Sequence, residues 1–128
     1  LEAEMPKAIF LGKVDHDTLS IWYASSDAFI FTSNTETYGN VVIEAMASGL
    51  PVVVADAGGP QDLVFNDYNG IKCSPMNESE YYEGLKKAIT DTPYREQAIK
   101  NGLAFAKDLS WDVLVNEYFG FITELANK

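Results

Sequence analysis

Cysteine and histidine are almost absent from this sequence, each occurring once, as Cys73 and His16. A lone cysteine cannot close an internal disulfide, so the chain suits a reducing compartment, and Cys73 reads as a small buried hydrophobe rather than a nucleophile. A lone histidine cannot build the usual zinc site. His16, between Asp15 and Asp17, reads as a capping or surface residue at a helix start. Basic residues are scarce as well: 9 stand against 19 acidic ones, and the net charge of -10 repels polyanions. That excludes nucleic acid or an anionic membrane surface as the main partner. No apolar run approaches the roughly 20 residues that cross a bilayer. No internal repeat, low-complexity tract or long linker is present, and no Gly-x-Gly-x-x-Gly follows any strand, which removes a nicotinamide dehydrogenase. The opening "LEAEMPKAIF" has neither a signal-peptide pattern nor an initiating methionine, so the chain reads as an excised piece of a longer protein. The expected address is the cytoplasm, with peripheral membrane attachment left open for the full-length form.

What is present is ordinary globular material, 47% hydrophobic over 128 residues, enough for one domain, residues 1–128, with one core. Four short β-rich runs, "AIFLG" (8–12), "AFIFT" (28–32), "PVVVA" (51–55) and "GIKCS" (70–74), alternate with helical patterns. The second and third are nearly free of polar residues, as strands covered on both faces are. Helical stretches fall at "DHDTLSIWYASS" and "GNVVIEAMASG", then near 78–91, 93–107 and 110–126. This order predicts an α/β fold, a Rossmann-like three-layer α/β/α arrangement with a parallel sheet of about four strands. Asp15 or Asp17, Asn77 with Glu80, and Ser110 with Asp112 mark helix starts. The aromatic residues Trp22, Tyr23, Trp111, Tyr118, Phe119 and Phe121 lie in apolar helical stretches and read as core.

One helix is chemically unusual. In "ETYGNVVIEAMASGLP", Gly39 opens it, Gly49 stands just past its end, and Pro51 opens the next strand. Almost every residue within is apolar or small except Glu44, which shares a face with Asn40 and Ser48 at four-residue spacing. A carboxylate there is costly without hydrogen-bond donors. The helix start lies at the carboxyl end of a strand, where open parallel sheets bind ligands, and its free N–H groups favour an anion. Glu36 lies just upstream of that start, and Glu44 is roughly 7 Å along the helix at about 1.5 Å per residue. A phosphate at the helix end with hydroxyls on either side fits this layout, and sugar nucleotides have it. The plainer reading stays open at this point: the strip faces water and Glu36 sits in an exposed loop. Gly58 and Gly59, after "PVVVA", permit positive φ or close approach of a ligand at the same sheet edge, or a simple tight turn into a helix.

The stretch "SDAFIFTSNTETYGNVVIEAMASGLPVVVADAGGPQDLV", with "NG" at 69–70, closely resembles the C-terminal, donor-binding domain of retaining GT-B glycosyltransferases of family 4, the group 1 type. That family carries a glutamate, seven residues and a second glutamate, with an aromatic-glycine step between and "EAMASGLPVV" following. Glu36, Tyr38, Gly39, Glu44, Ala45, Met46, Ala47, Ser48, Gly49 and Pro51 stand at those positions. The match is good over roughly residues 9–75 and loose over the helical tail. It departs at Asp62, where the family has glutamate, at Pro60, and at Thr32 in place of proline.

The resemblance implies that Glu36 meets hydroxyls of the donor sugar as the catalytic carboxylate, that Glu44 meets the ribose, and that backbone amides around Tyr38, Gly39 and Asn40 meet the diphosphate or sugar. Gly58 and Gly59 join the donor-binding set. It implies transfer of a hexose from a UDP-, GDP- or ADP-linked sugar with retention, no metal and no other cofactor, in carbohydrate biosynthesis. An Arg/Lys pair and an acceptor-binding N-terminal domain lie upstream of this chain in the family, so the fragment alone is expected to be inactive and its acceptor unknown. A sugar-nucleotide epimerase of the same fold and a non-catalytic nucleotide-binding domain are the alternatives. With the family's sheet order, "AFIFT" loses its neighbour in this chain. The expectation is that "AIFLG" shifts to pair beside it, or that self-association covers the opening.

Overall fold

A computed structural model describes residues 3–35, 39–109 and 123–126. Three strands, β1 (Phe29–Phe31), β2 (Val52–Ala55) and β3 (Ile71–Cys73), form a parallel sheet in the order β1-β2-β3, with Ile30 opposite Val53 and Val54 opposite Lys72. Among the described residues the helices that pack on it are α1 (His16–Ser25), α2 (Asn40–Ala47), α3 (Pro60–Leu63), α4 (Glu78–Thr90) and α5 (Thr92–Asp108).

The two faces of β2 seed two cores. Val52 and Val54 join Tyr23, Val42, Ala45, Met46, Leu63 and Val64, the side of α1, α2 and α3. Val53 points the other way, to Ile71, Cys73, Ala88, Tyr94 and Ala98, the side of α4. Every residue of β2 is buried, as its unbroken apolar run requires. α5 serves both cores, with Ala98 in one and Ala106 in the other. It crosses beneath the amino ends of the strands. Arg95 donates to the carbonyl of Asp27, just before β1, and Asn101 Nδ2 donates to the carbonyl of Tyr68, 2.9 Å away and just before β3. At the crossing Gly102 has no side chain, and Met46 packs where one would begin, 3.4 Å from its Cβ position.

The helix boundaries follow the capping chemistry. Asp15 Oδ1 accepts from the Thr18 N–H at 2.7 Å, Asn77 from that of Glu80 at 3.2 Å and Asp91 from that of Tyr94 at 3.2 Å. α2 ends at Ser48, with Gly49 at φ 80°, the Gly49 N–H on the Met46 carbonyl and the Leu50 N–H on the Ala45 carbonyl, so the chain turns directly into Pro51 and β2. The stretch from 110 onward falls mostly outside the described residues.

The expected first strand does not form. Residues 8–12 belong to no strand, and Ile9, Phe10 and Leu11 are exposed. Among the described residues β1 pairs with β2 alone, so the sheet has three strands rather than about four, and the shift of "AIFLG" onto β1 is overturned. β1 is not covered on both faces either: Phe29 and Phe31 pack on the α2 side, while Ile30 is 43% exposed. The physical reason is length. A three-residue edge leaves few backbone groups to satisfy, and with one face open, water can reach them. Among the described residues no helix is long and apolar enough to cross a membrane.

Candidate functional site

The carboxyl edge of the sheet gathers two glycine loops. Gly39, the residue before α2, is buried and adopts φ 89°, a left-handed conformation that glycine reaches without steric cost. Its Cα faces α3: a Cβ there would lie 3.1 Å from Pro60 Cγ and 3.3 Å from Leu63 Cδ1. The start of α2 is thereby clamped against the helix that Gly58 and Gly59 introduce. Gly58 has φ 63°, whereas Gly59 is right-handed helical and serves as the turn into Pro60. Asp62 is exposed in the first turn of α3. Glycine at position 39 cannot cap α2 with a side chain, so the first N–H groups of α2, on Asn40 and Val41, point toward this edge.

Glu44 stands farther along α2 and is half-buried, while Asn40 and Ser48 are exposed. The polar strip therefore exists, but it borders a cleft rather than open water. A cavity of about 260 Å³ between α1 and α2 is lined by His16, Leu19, Ser20, Tyr23, Glu44 and Ser48, among others. The donor that a carboxylate needs in this place is Tyr23, whose hydroxyl donates to Glu44 Oε2 at 3.3 Å. Burial, and then the charge of Glu44, push the Tyr23 phenol up to about 12, so it stays protonated and a donor at neutral pH. A carboxylate offers about four lone-pair sites and Tyr23 takes one. The rest suit a diol.

A larger cavity of about 460 Å³ runs along β3 and α4, past Asp56, Lys72, Ser74, Glu80 and Lys87. Size alone would favour it as the site. Its lysines are already paired, Lys72 with Asp56 at 3.9 Å and Lys87 with Asp67 at 3.0 Å, and Glu80 binds the Ser74 backbone and hydroxyl. The smaller α1–α2 cleft, which holds Glu44, is the better candidate.

The structure sets Gly39 against Pro60 and Leu63 of the helix that follows Gly58 and Gly59, with Asn40 next in α2 and Glu44 a turn beyond; Glu36 and Tyr38 lie outside the described residues. Sequence reasoning missed Tyr23 and His16 as cleft walls. Of the two aromatic residues read as core in this helix, Trp22 is exposed and Tyr23 is buried, but the Tyr23 hydroxyl meets a residue 21 positions away, a pairing no local pattern contains. It also left open what "NG" at 69–70 does. Asn69 is 1% exposed, its Oδ1 accepting from the Phe65 N–H at 2.8 Å and its Nδ2 donating to the Leu63 carbonyl at 3.1 Å. A Cβ on Gly70 would fall 2.6 Å from Val52 Cγ2. Both residues hold the fold. Cys73, 1% exposed, has its thiol pushed up to about 11 by burial and then by Glu80, as befits a core residue.

Comparison with known proteins gives a consistent picture. Residues 2–105 match the family described as "Glycosyl transferases group 1". The chain is 37% identical over 123 residues to a GDP-mannose-dependent alpha-mannosyltransferase of Mycobacterium tuberculosis, covering 94% of this chain and 31% of that protein. It is 52% identical over 92 residues to the sulfoquinovosyl transferase of Arabidopsis thaliana, covering 70% of this chain and 18% of that protein. Among solved structures, HepE of Anabaena in complex with UDP-glucose superposes with a TM-score of 0.69 at 30% identity, over 80% of this chain and 29% of that one. Sucrose-phosphate synthase of Thermosynechococcus elongatus superposes with a TM-score of 0.82 at 25% identity, over 96% and 31%. The chain spans less than a third of the length of these relatives.

Proposed function

The chain belongs to the group 1 glycosyl transferases, and from that premise we propose that it forms the nucleotide-sugar-binding part of a retaining transferase that moves a hexosyl unit to an acceptor held elsewhere in the protein. The observation that carries this reading is the carboxyl edge itself, where the uncapped start of α2 is clamped beside the Gly58–Gly59 turn with a half-buried carboxylate, Glu44, a turn beyond. Amides at Gly39 and Asn40 receive the diphosphate, whose charge grows as the sugar departs, and fixed N–H dipoles stabilise that charge without reorganisation. Glu44 accepts the ribose hydroxyls in the α1–α2 cleft. Glu36 and the Tyr38 amide are assigned to the donor sugar, which must be oriented for the anomeric carbon to be reached. The complex of HepE with UDP-glucose supports a nucleotide sugar as the ligand class.

The test is a pair of substitutions in the transferase that carries this chain. Glu44→Gln should weaken binding of the nucleoside diphosphate product about tenfold with a small change in kcat, the loss of a hydrogen bond to a charged group. Glu36→Gln should chiefly lower kcat. Equal effects of both substitutions on product affinity and on rate would refute the division of roles.

A further inference from the structure

We propose that Tyr23 is a positioning residue for donor binding: its hydroxyl holds the Glu44 carboxylate in the α1–α2 cleft so that the nucleotide ribose meets an acceptor already aimed. The proposal rests on the ribose role given to Glu44 above. Tyr23 comes from α1, 21 residues before Glu44, and is the only described residue that hydrogen-bonds the Glu44 carboxylate. Among the described residues no lysine or arginine forms an ion pair with it. Tyr23 is 8% exposed as a residue and its ring packs on Phe29, with ring centroids 5.9 Å apart at 60°, so the hydroxyl is delivered from a fixed body. A glutamate with free torsions loses rotamer freedom when a ligand fixes it, and a hydrogen bond made beforehand removes part of that loss. The phenol remains protonated far above neutral pH, so the donor is constant across the working range.

The other residues lining the cleft do not substitute for it. Leu19 and Ala47 have no donor, and the hydroxyls of Ser20 and Ser48 are committed to the carbonyls of His16 and Glu44, at 2.8 and 2.9 Å. His16 is the remaining polar group on that wall and makes no side-chain hydrogen bond to Glu44 among the described residues. Among the described residues Tyr23 is thus the one group placed to orient the carboxylate.

The experiment compares ribose with deoxyribose. In the full-length transferase that carries this chain, UDP, GDP and ADP are titrated by calorimetry, and the tightest binder is compared with its 2′-deoxy and 3′-deoxy forms. The wild-type protein should prefer the ribonucleotide about tenfold over at least one deoxy form, as expected for one hydrogen bond to a carboxylate. Tyr23→Phe keeps the ring on Phe29 and removes only the hydroxyl. It should cut that preference to about threefold while leaving the affinity for the deoxy form nearly unchanged. A role limited to packing would weaken all the nucleotides together and leave the preference at tenfold, and that result overturns the proposal. Glu44→Ala should abolish the preference, with no further change when Tyr23→Phe is added. A preference that survives Glu44→Ala, or binding of none of the three nucleotides, overturns the reading of Glu44 itself. Loss in Glu44→Ala with full preference in Tyr23→Phe overturns the positioning role alone.

Discussion

Replacing Gly39 by alanine tests the clamp between the start of α2 and α3. Two costs add. At φ 89° an alanine meets the left-handed penalty of roughly 1 to 2 kcal/mol. The new Cβ also lands 3.1 Å from Pro60 Cγ and 3.3 Å from Leu63 Cδ1, and neither neighbour yields easily, since Pro60 is a rigid, fully buried ring and Leu63 is 5% exposed. Forcing a methyl into a packed contact of this kind costs about 1 to 3 kcal/mol. The sum is about 2 to 5 kcal/mol. Gly49→Ala is the natural comparator, because Gly49 has φ 80° but nothing within 4 Å of its Cβ position, so it meets only the backbone term. In urea unfolding with a slope of about 2 kcal/mol/M, Gly39→Ala should lower the midpoint by roughly 1 to 2.5 M and Gly49→Ala by roughly 0.5 to 1 M. The slope itself should not change. If the two substitutions lower the midpoint equally, the contact with Pro60 and Leu63 contributes nothing, and the argument that glycine is required there for packing fails.

Asn69→Ala should destabilise the chain by roughly 2 to 4 kcal/mol, because it strands the Phe65 N–H and the Leu63 carbonyl. A melting temperature within a degree or two of wild type would show that water replaces both bonds. Stability should also fall as pH rises from 9.0 to about 11. Over that interval the Cys73 thiol is still protonated in the folded chain and ionised in the unfolded one, so the unfolded state binds fewer protons. The Tyr23 phenol, raised from 10.0 to about 12, extends the same trend upward. Urea midpoints measured on either side of pH 10, with Cys73→Ala as the control, check this; a flat profile contradicts it.

The sequence carried the sheet's interior and most helix ends. β2 could be read because four consecutive buried residues in a parallel sheet leave an unbroken apolar run. α1 and α4 could be located because a short polar side chain at each start answers a free N–H, a local matter of three residues. "AIFLG" failed for the opposite reason. Apolar, β-favouring residues permit a strand, but a strand exists only where another offers its backbone, and the pattern holds no information on whether that neighbour is present. The site was half legible. Gly39 and Gly49 announce themselves because positive φ restricts residue choice, and the cost of a lone carboxylate marks Glu44. The partner that resolves that cost, Tyr23, was invisible because α1 meets α2 only through the tertiary fold.

The path of α5 bears on how the molecule comes apart. One continuous helix of 17 residues places Ala98 in one core and Ala106 in the other, and Gly102 lets it lie against Met46 at the crossing. Neither core can open without fraying this shared helix, so the two should exchange their amide hydrogens as one cooperative unit rather than in sequence. At the opposite edge the join among the described residues is of another kind, the packing of Gly39 against the Pro60 and Leu63 side chains. A ligand arriving there meets a contact between two short elements, while the long helix at the far end fastens the sheet.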